Sequence, residues 1–125
     1  MGKFQLKRVY EAPGPEDGTR ILVDRLWPRG IAKDKARIDL WLKEIAPSDA
    51  LRKRFHGKPD EWGAFCESYA AELQSEAAQA AASELFKCRA QGPVTLLYAA
   101  RDESRNNAVA LKTWLERHRG GGLPG

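Results

Sequence analysis

Cysteine and histidine are scarce, two of each in 125 residues, and neither Cys66 nor Cys88 belongs to a C-x-x-C pair. That scarcity argues against a structural zinc site and a disulfide framework, and it leaves reduced, packed thiols as the reading of both cysteines. Long apolar runs are absent. None approaches a membrane span, and the opening MGKFQLKRVY has neither the apolar stretch of a secretory signal nor a serine or threonine suited to myristoylation after Gly2. A cytoplasmic protein with no membrane partner is therefore expected. The GxxxxGK[ST] phosphate loop, the GxGxxG dinucleotide turn, the HExxH zinc helix and the GxSxG nucleophile elbow are all missing. Cys66 falls on an apolar stripe and neither cysteine precedes an arginine-terminated loop, which disfavours covalent thiol catalysis. No cofactor and no metal is expected.

What is present is an ordinary globular composition, 42% hydrophobic and 30% charged with a net charge of +4. The length suits one domain with its own core, expected over residues 1–119, with a disordered glycine-rich tail over 120–125. A pI near 9.2 is compatible with nucleic acid, nucleotides or other anions as partners.

Residues 4–10 alternate and predict a strand, and two prolines and two glycines make 11–18 a loop. The run Ile21-Leu22-Val23 predicts a strand covered on both faces, as in a parallel sheet. Over 34–47, Ile38, Trp41, Leu42 and Ile45 recur at helical spacing and predict an amphipathic helix closed by Pro47. Ser48 is placed to cap a short basic helix that Gly57 ends, and Pro59 opens the next. That helix carries the stripe Trp62, Phe65, Cys66, Tyr69 and Leu73. An alanine-rich helical stretch follows, continuous or broken near Ser75, and Gly92-Pro93 stops it. Residues 94–99 form the clearest strand, and Ala108, Leu111, Trp114, Leu115 and His118 share one side of a last helix. Strands separated by helices predict an α/β domain, a small, mainly parallel sheet flanked by helices.

In open α/β sheets ligands collect beyond the carboxyl ends of the strands. Two strands end there in polar clusters: Asp24, Arg25, Trp27, Pro28 and Arg29 after one, and the segment from Arg101 to Asn107 after the other. Arg25, Arg29 and Arg101 offer forked donors to phosphate or carboxylate, Trp27 a flat surface, and Asn106 an orienting amide. Asp24 is the acid–base candidate. Each has a structural alternative. Asp24 could pair with Arg25 or Arg29, Trp27 could plug the core, Asp102 or Ser104 could cap the last helix, and the asparagines could tie down local backbone. The basic run LRKRFHGK (51–58) reads as a solvated helix face or as a lip for a polyanion.

The blocks DGTRILVDRLWPRGI, WLKEIAPSDALRKRFHG, VTLLYAA and NNAVAL resemble the bacterial YeaO-like family, a domain of unknown function, over about residues 3–118. The resemblance implies a small α/β domain, and it carries over Asp24, Arg25, Trp27, Pro28, Arg29, Gly30, Lys43, Pro47, Ser48, Phe55 and Asn106 as motif positions. It implies no activity. The family pattern tolerates asparagine at Asp102, which suits a cap better than an obligatory carboxylate and leaves Asp24 ahead of it. Three functions follow as expectations. The first is a site for a small phosphate- or nucleotide-like anion at the strand ends, with hydrolysis or group transfer as its possible chemistry. The second is a nucleic-acid-binding module using the basic segment and Trp27. The third is a protein-interaction domain whose polar cluster braces loops.

Overall fold

Alternate residues of a strand face opposite sides of its sheet. Phe4, Leu6, Ile21, Val94, Leu96 and Tyr98 accordingly meet in one apolar cluster, while Leu22 and Leu97 meet in another. The computed structural model describes residues 2–118, so the glycine-rich tail and its expected disorder lie outside the described residues. The strands are β1 (Phe4–Arg8), β2 (Thr19–Leu22), β3 (Leu40–Trp41) and β4 (Val94–Tyr98), in the order β1-β4-β2-β3 with every pairing parallel. The α/β class and the parallel sheet expected from the sequence are both found. β4 is central and wholly buried, matching its continuous apolar run.

Helices α2 (Asp49–Phe55), α3 (Trp62–Glu72), α4 (Glu76–Gln91) and α5 (Asn107–His118) bring their buried side chains to the first cluster, around Leu51, Tyr69, Leu85 and Leu111. Serine caps begin two of them: Ser48 Oγ accepts from the Leu51 N–H and Ser75 Oγ from the Ala78 N–H. The break near Ser75 is thus real. Glu72 accepts both the Ser48 N–H and the Ser48 hydroxyl, which fastens the start of α2 to the end of α3. The other face of the sheet is covered by loops, through Trp27, Ile31 and Ile38.

The helix expected over 34–47 does not form. Its segment holds a single turn, α1 (Lys33–Ala36), then the edge strand β3 and a 3-10 turn over Lys43–Ile45. Arg37 turns left-handed (φ 51°) and ends the helix. The Asp39 and Leu42 N–H groups then bond the carbonyls of Arg20 and Leu22 on the edge of β2. The apolar residues that mimicked a helical stripe serve two different clusters, Ile38 below the sheet and Leu42 and Ile45 above it. Pairing to an open sheet edge has overridden local periodicity. β3 is only two residues long, and the Lys43 ammonium lies over its Trp41 ring at 5.3 Å.

Polar bonds fix the loop layer. The Arg20 guanidinium, 4% exposed, pairs with Asp17 and donates to the carbonyls of Ala36 and Arg37, and Lys7 completes the cluster at 3.1 Å from Asp17. Next to it Gly18 is irreplaceable: its φ is +64° and a Cβ there would sit 2.1 Å from the Pro93 carbonyl oxygen.

Burial would raise the Asp17 carboxyl, but the Gly14 N–H, Lys7 and Arg20 outweigh it and hold the group below the usual carboxylate value. A lowered acid stabilises the fold above its unfolded pKa and loses that contribution as pH falls through the folded value. Asp17→Asn is expected to cost about 3 kcal/mol by urea denaturation at neutral pH, because it leaves Arg20 buried without its carboxylate. The variant should also lose part of the native decline in stability below about pH 4. A variant as stable as the native chain with the same acid profile would contradict this account.

Candidate functional site

Because β2 and β4 are parallel neighbours, the chain leaves both at the same end of the sheet. The segments that follow them, 24–29 and 99–107, meet there. With α2 and the first turn of α3 they line an open cleft of about 820 Å³. Arg8 helps aim the second segment, donating from Nε to the Ala100 carbonyl and from Nη2 to the Ala99 carbonyl, both at 2.9 Å.

Asp24 joins the two exits. One carboxylate oxygen accepts the Ala99 N–H at 2.9 Å and the other the Asn107 amide at 3.0 Å, while that amide also donates to the Val23 carbonyl. The expected alternative, a salt bridge from Asp24 to Arg25 or Arg29, is not formed among the described residues. Burial raises the Asp24 carboxyl above its ordinary value, against the Asn107 and Ala99 donors and the nearby charge of Arg52.

Arg25 is held from behind: Nε donates to the Pro47 carbonyl at 3.2 Å and Nη2 to the Ala46 carbonyl at 3.0 Å. Its Nη1 has no partner among the described residues. Arg29 and Arg101 are exposed at the rim, and their guanidinium groups make no hydrogen bond or ion pair among the described residues. Trp27 also lines the cleft, but its indole N–H bonds the Ile31 carbonyl at 2.8 Å and its ring meets Trp41 edge-on at 5.4 Å. It packs on the loop-side cluster, the plug role given above as its alternative.

Asn106 is 5% exposed. Its Oδ1 accepts the Val109 N–H at 2.9 Å and its Nδ2 donates to the Asp102 carbonyl, so it caps α5. That corrects the expected cap, Asp102 or Ser104. Asp102 instead accepts the N–H groups of Ser104 and Arg105, a local turn that keeps its carboxyl below the usual value.

The cleft also gathers residues that the sequence left in separate places. Arg52, Lys53, His56 and Lys58 of the basic run line it, as do Trp62 and Phe65, read only as core stripe, and Arg105. The signal that could have joined them is the Gly57-Lys58-Pro59 turn, which folds α3 back against α2. Among the described residues no cluster of three or more histidine, cysteine, aspartate or glutamate side chains could hold a metal ion. No helix among them is long and apolar enough to cross a membrane.

Asn107→Ala removes a donor that favours ionised Asp24, so the carboxyl should titrate at higher pH than in the native protein. A carbon-detected NMR titration of Asp24 reads this directly, and an unmoved or lowered midpoint would refute the pairing.

Comparison with known proteins sets this cleft in a family. Residues 3–120 match the family model described as the "Inactive DUF488-N3 subclade". The chain is 47% identical over 112 residues to "Uncharacterized protein YeaO" of Escherichia coli, covering 90% of this chain and 96% of that protein. It is 41% identical over 109 residues to uncharacterized proteins of Mycobacterium bovis and Mycobacterium tuberculosis, covering 87% of this chain and 90% of each. No solved structure matches it. Motif blocks, parallel sheet and near full-length identity agree, and the chain belongs to this YeaO-like family of bacterial proteins of unknown function, within the DUF488-N3 subclade described as inactive.

Proposed function

We propose that the cleft at the strand ends binds a small anion carrying phosphate, and that the protein works by holding this ligand. The observation that carries the reading is an imbalance of engagement among the charged groups lining the cleft. Each carboxylate there is already spent: Asp24 on two N–H donors, Asp102 on its own turn, and Asp49 on Arg52 at 3.1 Å. Most of the cations are not, Arg52 excepted. Arg29, Arg101 and Arg105 have no ion pair among the described residues, and Arg25 is anchored with one edge free. A guanidinium locked by carbonyls loses little freedom when a phosphate arrives, which favours bidentate binding.

In this reading Arg25, Arg29 and Arg101 contact the anion, while Trp27, Asn106 and Asp24 hold the walls. Two features support binding without turnover: both Asp24 oxygens already accept hydrogen bonds, and the subclade is described as inactive. The catalytic alternative, hydrolysis or group transfer, gives Asp24 the role of general base. Lys53 and Lys58 on the same cleft support a second reading, a nucleic-acid surface, because they extend the positive lining beyond the strand ends.

Thermal-shift titration with inorganic phosphate, pyrophosphate and mononucleotides tests the proposal. A ligand at a hundredfold its Kd should stabilise the fold by about 2.7 kcal/mol. The paired substitution Arg29→Ala and Arg101→Ala should abolish the shift without lowering the ligand-free Tm, since both side chains are exposed. Absence of any shift in the native protein overturns the proposal. Preference for oligonucleotides with a steep salt dependence would replace it with the nucleic-acid reading, and phosphate release that stops in Asp24→Asn with the catalytic one.

A further inference from the structure

We infer that the ligand of this cleft is a phosphate-bearing flat ring of mononucleotide size, and that Trp62 is the residue on which the ring stacks. The inference rests on the anion-binding reading above and adds what the rest of the cleft demands of the ligand. The cleft is not uniformly polar. Arg25, Arg101 and Arg105 stand on the strand-end side, whereas the side made by α2 and α3 sets the aromatic rings of Phe55, Trp62 and Phe65 beside the cations Arg52, Lys53 and Lys58. A bare phosphate or a sugar phosphate would leave those three rings without a partner. About 820 Å³ is also far more room than inorganic phosphate fills, and it lies within the range of about 300–1,000 Å³ typical of organic-ligand sites.

Of the aromatic groups on the cleft, Trp62 is the one built as a platform. Its ring lies on Phe65 with centroids 5.4 Å apart and planes 19° from parallel, and Phe65 is itself braced edge-on by Phe55 at 5.8 Å and at a 40° tilt by Tyr69 at 5.8 Å. One face of the indole is therefore backed by a packed stack. Phe65 is its only aromatic partner among the described residues, and the ring is half-buried, so area remains for a guest. Trp27, the tryptophan that the sequence offered for this role, is otherwise engaged: its N–H is bonded to Ile31 and its ring is packed on Trp41. Tyr10 is also occupied, its hydroxyl on the Arg29 carbonyl and its ring under Arg8. A planar base on Trp62 keeps its sugar and phosphate within the same cleft as the arginines, which is the arrangement an amphipathic anion needs.

The test is a comparison of ligands that share a phosphate and differ in the ring. Isothermal titration of the full chain should show adenosine 5′-monophosphate binding at least about tenfold more tightly than ribose 5-phosphate, the range expected for one base stacked on an aromatic side chain. Trp62→Leu should erase most of that difference and leave the ribose 5-phosphate Kd unchanged, while Trp62→Phe should retain much of it. Nuclear Overhauser contacts between the base protons and the Trp62 ring in the native protein read the same geometry without any substitution. Equal affinity for the two ligands overturns the inference but leaves the anion reading standing. So do a difference that survives in Trp62→Leu, base contacts to Trp27 instead of Trp62, and an oligonucleotide bound far more tightly than the mononucleotide. Failure of every phosphate compound to bind overturns the anion reading itself, and the platform with it.

Discussion

A single half-buried carboxylate holds the functional end of this molecule together. Asp24 stands where the chain leaves β2, accepts the first free N–H beyond β4 and takes the amide of Asn107 at the start of α5. The exit of β2 is thereby fixed to the end of β4 and the start of α5, more than seventy residues further along the chain. Among the described residues the carboxylate has no counter-ion in contact, so its desolvation is offset by directed donors and a more distant positive field. Parallel pairing of β2 and β4 makes the arrangement possible, because only strands running the same way release their loops at one end. An antiparallel pair would have carried Arg25 and Arg101 to opposite ends of the sheet.

The second theme is the division of labour among arginines. Arg20 is buried and fully committed to Asp17 and to carbonyls under the sheet, where it fixes the loop layer. Arg8 clamps the exit of β4. Arg25 is intermediate, braced by the carbonyls of Ala46 and Pro47 yet lining the cleft. Arg29 and Arg101 stand at the rim with no ion pair among the described residues. The same side chain is a structural bolt or an open donor according to how many carbonyls reach it, and this gradient runs from the loop layer to the mouth of the cleft.

Much of this was legible in the residues. The apolar runs of β2 and β4, the cap Ser48, the turn at Gly57 and the stripe of α3 all announced themselves, because each is a local signal with a local cause, whereas the break near Ser75 stood only as one of two alternatives. The stretch around Ile38 to Ile45 misled, since its spacing fits a helix while its partners are two clusters on opposite faces of the sheet. Nothing local reveals that the edge of β2 needs covering. The cap of α5 was displaced for a related reason: Asp102, Ser104 and Asn106 are all competent caps, and tertiary position selects the last. The convergence of the basic run with the strand ends depends on how α2 packs against α3, a long-range matter that no spacing rule reports. Trp62 and Phe65 were recognised as apolar but not as cleft wall, because a stripe that packs inward on one side can face a cavity on the other.

The short edge strand β3 has a further consequence. A sheet normally ends in a row of unpaired amides and carbonyls that invites another chain to add a strand. Here that row is cut to two residues, its Trp41 indole N–H is bonded back to the Asp24 carbonyl at 2.7 Å, and a lysine lies across the ring. Such a border is a poor template for β-augmentation, so on that side the sheet is sealed against runaway polymerisation by brevity and charge rather than by a covering helix.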